Sequence, residues 1–286
     1  MHTPVMLWEC MKYLDLRPDG VYLDATCGLG GHTQAIAQEL TSGFVLACDR
    51  DAESLVLARE NTRALAERIH FRQASFSRLG EALAAEGPTK VDGLLADLGV
   101  SKYQLTSSER GFSLMSDGPL DMRMDRRQSR SAFDIVNYES EKNLADLIYQ
   151  NGEERRSRRI AGAIVRARPV HTTGQLAKLI EQAVPRTGKI HPATQTFMAL
   201  RIAVNQENEE LEALLGAIPR IVKPGGRAVI LTFMSLEDRR VKQGFQAMAR
   251  AGEANILTRH VERPAEKEIR DNPPSRSAKL RAVEIL

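Results

Sequence analysis

Over its first hundred residues the chain alternates short, β-branched apolar runs with stretches of helical periodicity. That order is the signature of βαβ units closing a parallel sheet. VYLDAT (21–26), FVLACD (44–49), IHFRQAS (69–75) and VDGLLADLG (91–99) read as strands. Helices are expected between them at 31–40, 51–62 and 77–86, the second with Asp51 and Glu53 in its first turn and the third capped by Ser77. A doubly wound sheet is the consequence.

After Gly99 the alternation stops, and to about residue 203 the sequence shows helical periodicity and turn clusters without a convincing strand. It then resumes with a helix over 205–222, a KPGG turn, the strand GRAVILTF (226–233) and a helix opening on SLEDRR, for which Ser235 and Asp238 are the expected capping box. ILTRHV (256–261) and LRAVEIL (280–286) follow as antiparallel neighbours, which brings the sheet to seven strands. A length of 286 residues suits two domains. We therefore expect a sheet domain made of 1–105 and 204–286, and an inserted helical domain over 106–203.

Composition narrows the functional classes. Hydrophobic residues at 42% and charged residues at 27% are those of an ordinary globular chain. No run approaches the ~18 apolar residues of a membrane span, and MHTPVMLWECMKYLDL lacks the basic and apolar regions of a secretion signal, so a cytoplasmic protein without a membrane partner is expected. Cys10, Cys27 and Cys48 form no CxxC, which argues against a disulfide framework or a zinc site, and no metal is expected. A net charge of +3 permits a nucleic-acid partner without demanding one.

The segment DATCGLGGHT runs from a strand into a helix, so its glycines let the backbone turn sharply and approach a ligand closely. It departs from the dinucleotide pattern G-x-G-x-x-G, because Thr33 stands where the third glycine belongs. Asp49 ends the second strand about twenty residues after Gly28, where a carboxylate can accept hydrogen bonds from a ribose diol. Loop and carboxylate together point to an adenosine-containing cofactor without choosing one. In DLGVS, Asp97 comes to the carboxyl-end rim of the sheet, where it could accept a proton from an amine being alkylated. Seven strands with a reversed last pair are the usual architecture of S-adenosylmethionine-dependent methyltransferases, which tilts the choice away from a nicotinamide cofactor.

Several segments resemble one family. HTPVML (2–7), DATCGLGGHT (24–33), DRD (49–51), LADLGVS (95–101), RGFSLMSDGPLDMRMD (110–125), HPATQTFMALRIAVN (191–205), SLEDR (235–239) and NPPSRSAKLR (272–281) are similar, in order, to the RsmH (MraW) family of 16S ribosomal RNA cytosine-N4 methyltransferases. The resemblance implies a class I, Rossmann-like methyltransferase fold with its last strand antiparallel, split by an insertion. It also implies S-adenosylmethionine as cofactor and a cytidine near the decoding centre of the small subunit, or its precursor, as target. Carried over by motif, Gly30, Gly31, His32 and Thr33 lie at the methionine end of the cofactor, Asp49 at its ribose and Phe76 at its adenine, while Asp97 and Gln104 complete the pocket. Two positions depart from the family: FHSLEDR reads FMSLEDR, with Met234 for histidine, and GVSSPQL reads GVSKYQL, with Lys102 and Tyr103.

A cytosine amine shares its lone pair with the ring. The protein must therefore place nitrogen in line with the sulfonium methyl, accept the departing proton and exclude water. Asp97 is the expected acceptor, and Tyr103 and Phe112 are aromatic candidates to receive an unstacked base. Residues 151–170 hold six arginines against two glutamates, which suits RNA phosphates. DMRMD reads either as an ion-pair cluster fastening the insert to the sheet domain or as a wall of the substrate cleft. Two other classes stay open at this point: a nicotinamide-dependent oxidoreductase, and an assembly factor that senses cofactor without turnover. Oligomeric state is open as well, a homodimer included.

Overall fold

The computed structural model describes residues 4–186 and 190–286. His2 and Thr3 of the HTPVML segment lie outside them. The chain divides into two compact units, residues 1–99 with 208–286, and residues 100–207. The divisions fall after Gly99 and Glu207, against 105 and 203 read from the sequence.

The first unit is built on seven strands, β1 (Val21–Asp24), β2 (Phe44–Asp49), β3 (Ile69–Gln73), β4 (Val91–Asp97), β5 (Val222–Thr232), β6 (Ala254–Ile256) and β7 (Lys279–Ile285). They lie in the order β3-β2-β1-β4-β5-β7-β6. Pairings from β3 to β5 are parallel, and β7 runs antiparallel to both β5 and β6. The strand order reverses beside β1, so the crevice outside the carboxyl ends of β1 and β4 is where a ligand of such a sheet binds. Leu23, Leu46, Leu94, Leu95, Val229 and Ile230 are fully buried within these strands. Each contributes roughly 1.5–3 kcal/mol.

In chain order the helices are α1 (Leu7–Leu14), α2 (Gly31–Glu39), α3 (Ala52–Asn61), α4 (Leu79–Ala84), α5 (Lys102–Thr106), α6 (Ala132–Tyr138), α7 (Glu141–Gly152), α8 (Ser157–Arg166), α9 (Thr173–Ala183), α10 (Thr194–Asn205), α11 (Glu207–Ile221), α12 (Ser235–Arg250) and α13 (Glu266–Asp271). Helix α1 was not expected from the sequence.

Four local expectations are corrected. Ser77 does not cap α4, because its N–H and hydroxyl donate to Glu210 at 2.9 and 3.0 Å and Phe76–Arg78 forms a 3-10 turn instead. The box at α12 is one residue earlier: Met234 is the N-cap, and Glu237 accepts from the N–H groups of Phe233 and Met234. KPGG is an irregularity inside β5 rather than a turn before it, with a register shift between the pairs Val91↔Val222 and Gly93↔Arg227. Residues 257–261 are not strand; past Ile256 the chain stays beside β7 through Leu257 and Glu262, which bond Ala282 and Leu280.

The second unit is helical, and its core gathers Leu144, Ile148, Ile160, Ile164, Ile180 and Leu200. An irregular stretch from Gly111 to Ser131 is pinned from within the unit. Buried Arg110 donates to the carbonyls of Arg123 and Met124, and Asn205 of α10 accepts from Met124 N–H and donates to the Met122 carbonyl. Asp121 pairs with Arg123 at 2.7 and 2.9 Å. Of the two readings of DMRMD, the ion pair is present, and its anchorage is to α10 of the same unit.

Candidate active site

At the carboxyl end of β1 the chain leaves Asp24, turns through the glycine loop and enters α2. The turn is held by backbone bonds from Ala25 N–H to Leu95 O and from Cys27 N–H to Cys48 O, each 2.8 Å. Gly30 sits at φ +87°, a left-handed conformation that strains any side chain, and a Cβ there would meet Thr62 Cγ2 at 2.9 Å. A Cβ on Gly31 would meet Pro4 Cγ at 2.6 Å, so the N-terminal segment lies directly on the start of α2. At both glycines the close neighbour is the protein's own, Thr62 or Pro4, whereas the sequence pointed to a ligand.

Three carboxylates end adjacent strands around this loop: Asp24 on β1, Asp49 on β2 and Asp97 on β4. Asp49 accepts from Gly28 N–H at 2.7 Å through Oδ2 and from Asp51 N–H at 2.9 Å through Oδ1. It is therefore not the cap of α3; Asp51 is, accepting from Glu53 N–H. Asp24 accepts from the Thr33 hydroxyl at 2.6 Å and from Thr26 N–H at 3.1 Å. The Thr26 hydroxyl in turn accepts from Asp97 N–H at 2.6 Å, which ties β4 to the loop.

Burial dominates the electrostatics. It pushes Asp24 and Asp49 up to about 6, despite the hydrogen bonds each accepts. Asp97 is pushed up to about 8, first by burial and then by the charges of Asp24 and Glu237. Its Oδ1 is buried with no hydrogen-bond partner among the described residues. Its Oδ2 faces His32 Nδ1 at 3.8 Å, and His32 Nε2 bonds the Val5 carbonyl at 3.0 Å.

The model matching the whole chain, residues 1–286, is that of the MraW methylase family. The chain belongs to the MraW methylase family. Curated relatives named ribosomal RNA small subunit methyltransferase H include one from Solibacter usitatus, 57% identical with both chains fully covered, and one from Acidobacterium capsulatum, 48% identical over 99% of this chain and 98% of its own. A solved structure from Clostridium thermocellum aligns over all of both chains with a TM-score of 0.51 and 10% identity, a likeness of fold alone.

In this MraW methylase the first unit brings together Gly30, Gly31, His32, Thr33, Asp49 and Asp97 of the expected residues. Phe76 is half-buried in the turn after β3, two residues beyond Ala74, whose N–H bonds Asp49 O. Gln104 is in the second unit, where its carbonyl oxygen accepts from Ser101 N–H at the start of α5. Phe112 is buried in that unit's core, so of the two aromatic candidates it is closed to a base, while Tyr103 stays half-exposed. Asp24 and Thr26 were missed by sequence reasoning. Their signal was an aspartate closing an apolar strand directly before the glycine loop. Among the described residues, no three His, Cys, Asp or Glu side chains gather as a metal site, and no helix is long and apolar enough to cross a membrane.

Proposed function

We propose that this chain transfers a methyl group from S-adenosylmethionine to the N4 amine of a specific cytidine in the decoding region of 16S ribosomal RNA. The observation that carries the reading is Asp97, a rim carboxylate with an unpartnered oxygen beside a glycine loop. The relatives' names supply the substrate class, and the resemblance of the motifs supplies the atom.

The site suits a cationic adenosyl cofactor and disfavours a dinucleotide. Three carboxylates surround the loop, and among the described residues neither Lys nor Arg forms an ion pair with any of them, so in their ionised form they repel a pyrophosphate and attract a sulfonium. Asp49 keeps a lone pair on each oxygen for ribose hydroxyls after accepting from Gly28 and Asp51. When bound, S-adenosylmethionine supplies an activated methyl whose bond to sulfur breaks as the amine's electron pair forms the new bond to carbon.

The chain's own work is placement and proton handling. Asp97 accepts an N–H of the target amine and then its proton, which orients the nitrogen lone pair away from the carboxylate. Held geometry supplies the larger share of acceleration, up to about 7–11 kcal/mol. In the second unit Arg155, Arg158, Arg159 and Arg166 are exposed on or beside α8, and we assign them to RNA phosphates.

The test is methyl transfer from labelled cofactor to small subunits of a strain lacking the protein, followed by nucleoside analysis. N4-methylcytidine at one site is expected. A methylated base other than cytosine, or methyl on ring carbon, would refute the assignment.

A further inference from the structure

Among the described residues the carboxyl group of Asp97 has no hydrogen bond of its own. Its Oδ1 is buried without a partner, and its Oδ2 stands 3.8 Å from His32 Nδ1, beyond hydrogen-bond reach. A carboxyl group with neither oxygen tethered is placed through its backbone, so the position of the proton acceptor is set at the end of β4.

That end departs from the regular ladder. Strands β1 and β4 pair in parallel as far as Asp24↔Leu95, and one further rung runs from Ala25 N–H to Leu95 O at 2.8 Å. Continued in the same pattern, the ladder would take Asp97 N–H to the Ala25 carbonyl. It goes instead to the Thr26 hydroxyl at 2.6 Å. On the other side β4 keeps its register with β5, through Asp97↔Leu231 and the bond from Leu98 N–H to Leu231 O at 3.0 Å. A side-chain oxygen thus takes over from the backbone where β1 turns away into the glycine loop. Thr26 is itself held, since its N–H donates to Asp24 Oδ1 at 3.1 Å while Asp24 Oδ2 accepts from the Thr33 hydroxyl at the start of α2. One run of bonds therefore links α2, the loop and the last residue of β4.

We propose that Thr26 is a positioning residue for methyl transfer: its hydroxyl fixes the backbone of Asp97 and, through it, the reach of the carboxylate toward the target amine. This rests on the methyl-transfer reading above and gives Thr26 no contact with the reacting atoms. Proton acceptance needs an approach of about 2.6–3.2 Å between nitrogen and oxygen, and a misplacement of about 1 Å can cost about 100-fold in rate. A tie that only joined two strands would affect stability without singling out the chemical step.

The experiment replaces Thr26 with valine, which keeps the branched shape and removes the acceptor, and with serine, which keeps the hydroxyl. Single-turnover methyl transfer from labelled S-adenosylmethionine to small subunits of a strain lacking the protein gives the rate. Calorimetry with S-adenosylhomocysteine gives cofactor affinity, and unfolding midpoints show that the variants compared are folded. Thr26→Val should lower the rate about 10- to 100-fold while affinity changes by less than about threefold, and Thr26→Ser should return the rate to within about threefold of the native chain. In an Asp97→Asn background Thr26→Val should cost no more than about twofold further, because a residue acting through the carboxylate then has nothing left to position. Thr26→Ala removes the same acceptor with less bulk and must give the same results if valine prevents folding. A native rate without the hydroxyl, no recovery with serine, an undiminished loss in the Asp97→Asn background, or a rate loss matched by lost cofactor affinity overturns the proposal while leaving methyl transfer standing. Absence of methyl transfer by the native chain overturns the methyl-transfer reading itself.

Discussion

Replacing Asp97 with asparagine should stabilise the cofactor-free protein, and by an amount that grows with pH. A folded-state pKa of about 8 lies above the ordinary value of 3.8, so between those limits the folded state binds more protons than the unfolded chain. Stability from this group is fully present below about pH 4 and is lost as pH rises toward 8, with a limiting slope of about 1.4 kcal/mol per unit. The full interval corresponds to at most about 6 kcal/mol. The side chain is 24% exposed, and water reaching it relieves part of the penalty, so a gain on the order of 2–4 kcal/mol is expected at pH 8.5. Asparagine is close in shape to the neutral acid and has no charge to desolvate. Urea unfolding of both proteins at half-unit steps from pH 5 to 9 measures the difference. A gain independent of pH, or a variant less stable throughout, would show that Asp97 is not forced to hold its proton.

Other substitutions test separate parts of the structure. Gly30→Ala should cost about 2–4 kcal/mol, from a left-handed backbone and the 2.9 Å approach to Thr62 Cγ2; adding Thr62→Ser should recover only the second part, as read by unfolding midpoints. Asn205→Ala leaves Met124 N–H and the Met122 carbonyl without their bonds, a loss of about 2–4 kcal/mol that should appear as faster hydrogen exchange across 122–124. Replacing Arg155, Arg159 and Arg166 together by serine should lower the salt slope of RNA binding by about 2–3, at about 0.7–0.9 per phosphate contact. An unchanged slope would remove α8 from the RNA interface.

The parallel half of the sheet was legible because each strand announces itself twice, by a β-branched run and by the helix that follows. Asp49 and Asp97 could be placed at the rim for the same reason: each closes such a run. What escaped was decided between distant residues. Ser77 has the composition of a cap, but Glu210, far along the chain on α11, takes its N–H and hydroxyl. Ser235 has it too, yet Glu237 reaches back to Met234 and moves the cap by one residue. The bond between Asp24 and Thr33 spans nine residues across the glycine loop and could have been suspected, whereas the Val5 carbonyl that fixes His32 depends on where α1 packs.

Met234 follows the same logic of replacement. At this position, where the family resemblance implies histidine, the Met234 N–H donates to Glu237 and the residue is the N-cap of α12. A thioether cannot move a proton, so any proton transfer in this chain must use other groups. Among the described residues His32 faces the carboxylate rim, and its Nε2 bonds the Val5 carbonyl. Placing histidine there with Met234→His is therefore expected to leave the pH midpoint of methyl transfer where Asp97 sets it, as read from initial rates at half-unit steps from pH 6 to 9. A midpoint displaced by a full unit would instead place position 234 within the proton-handling group.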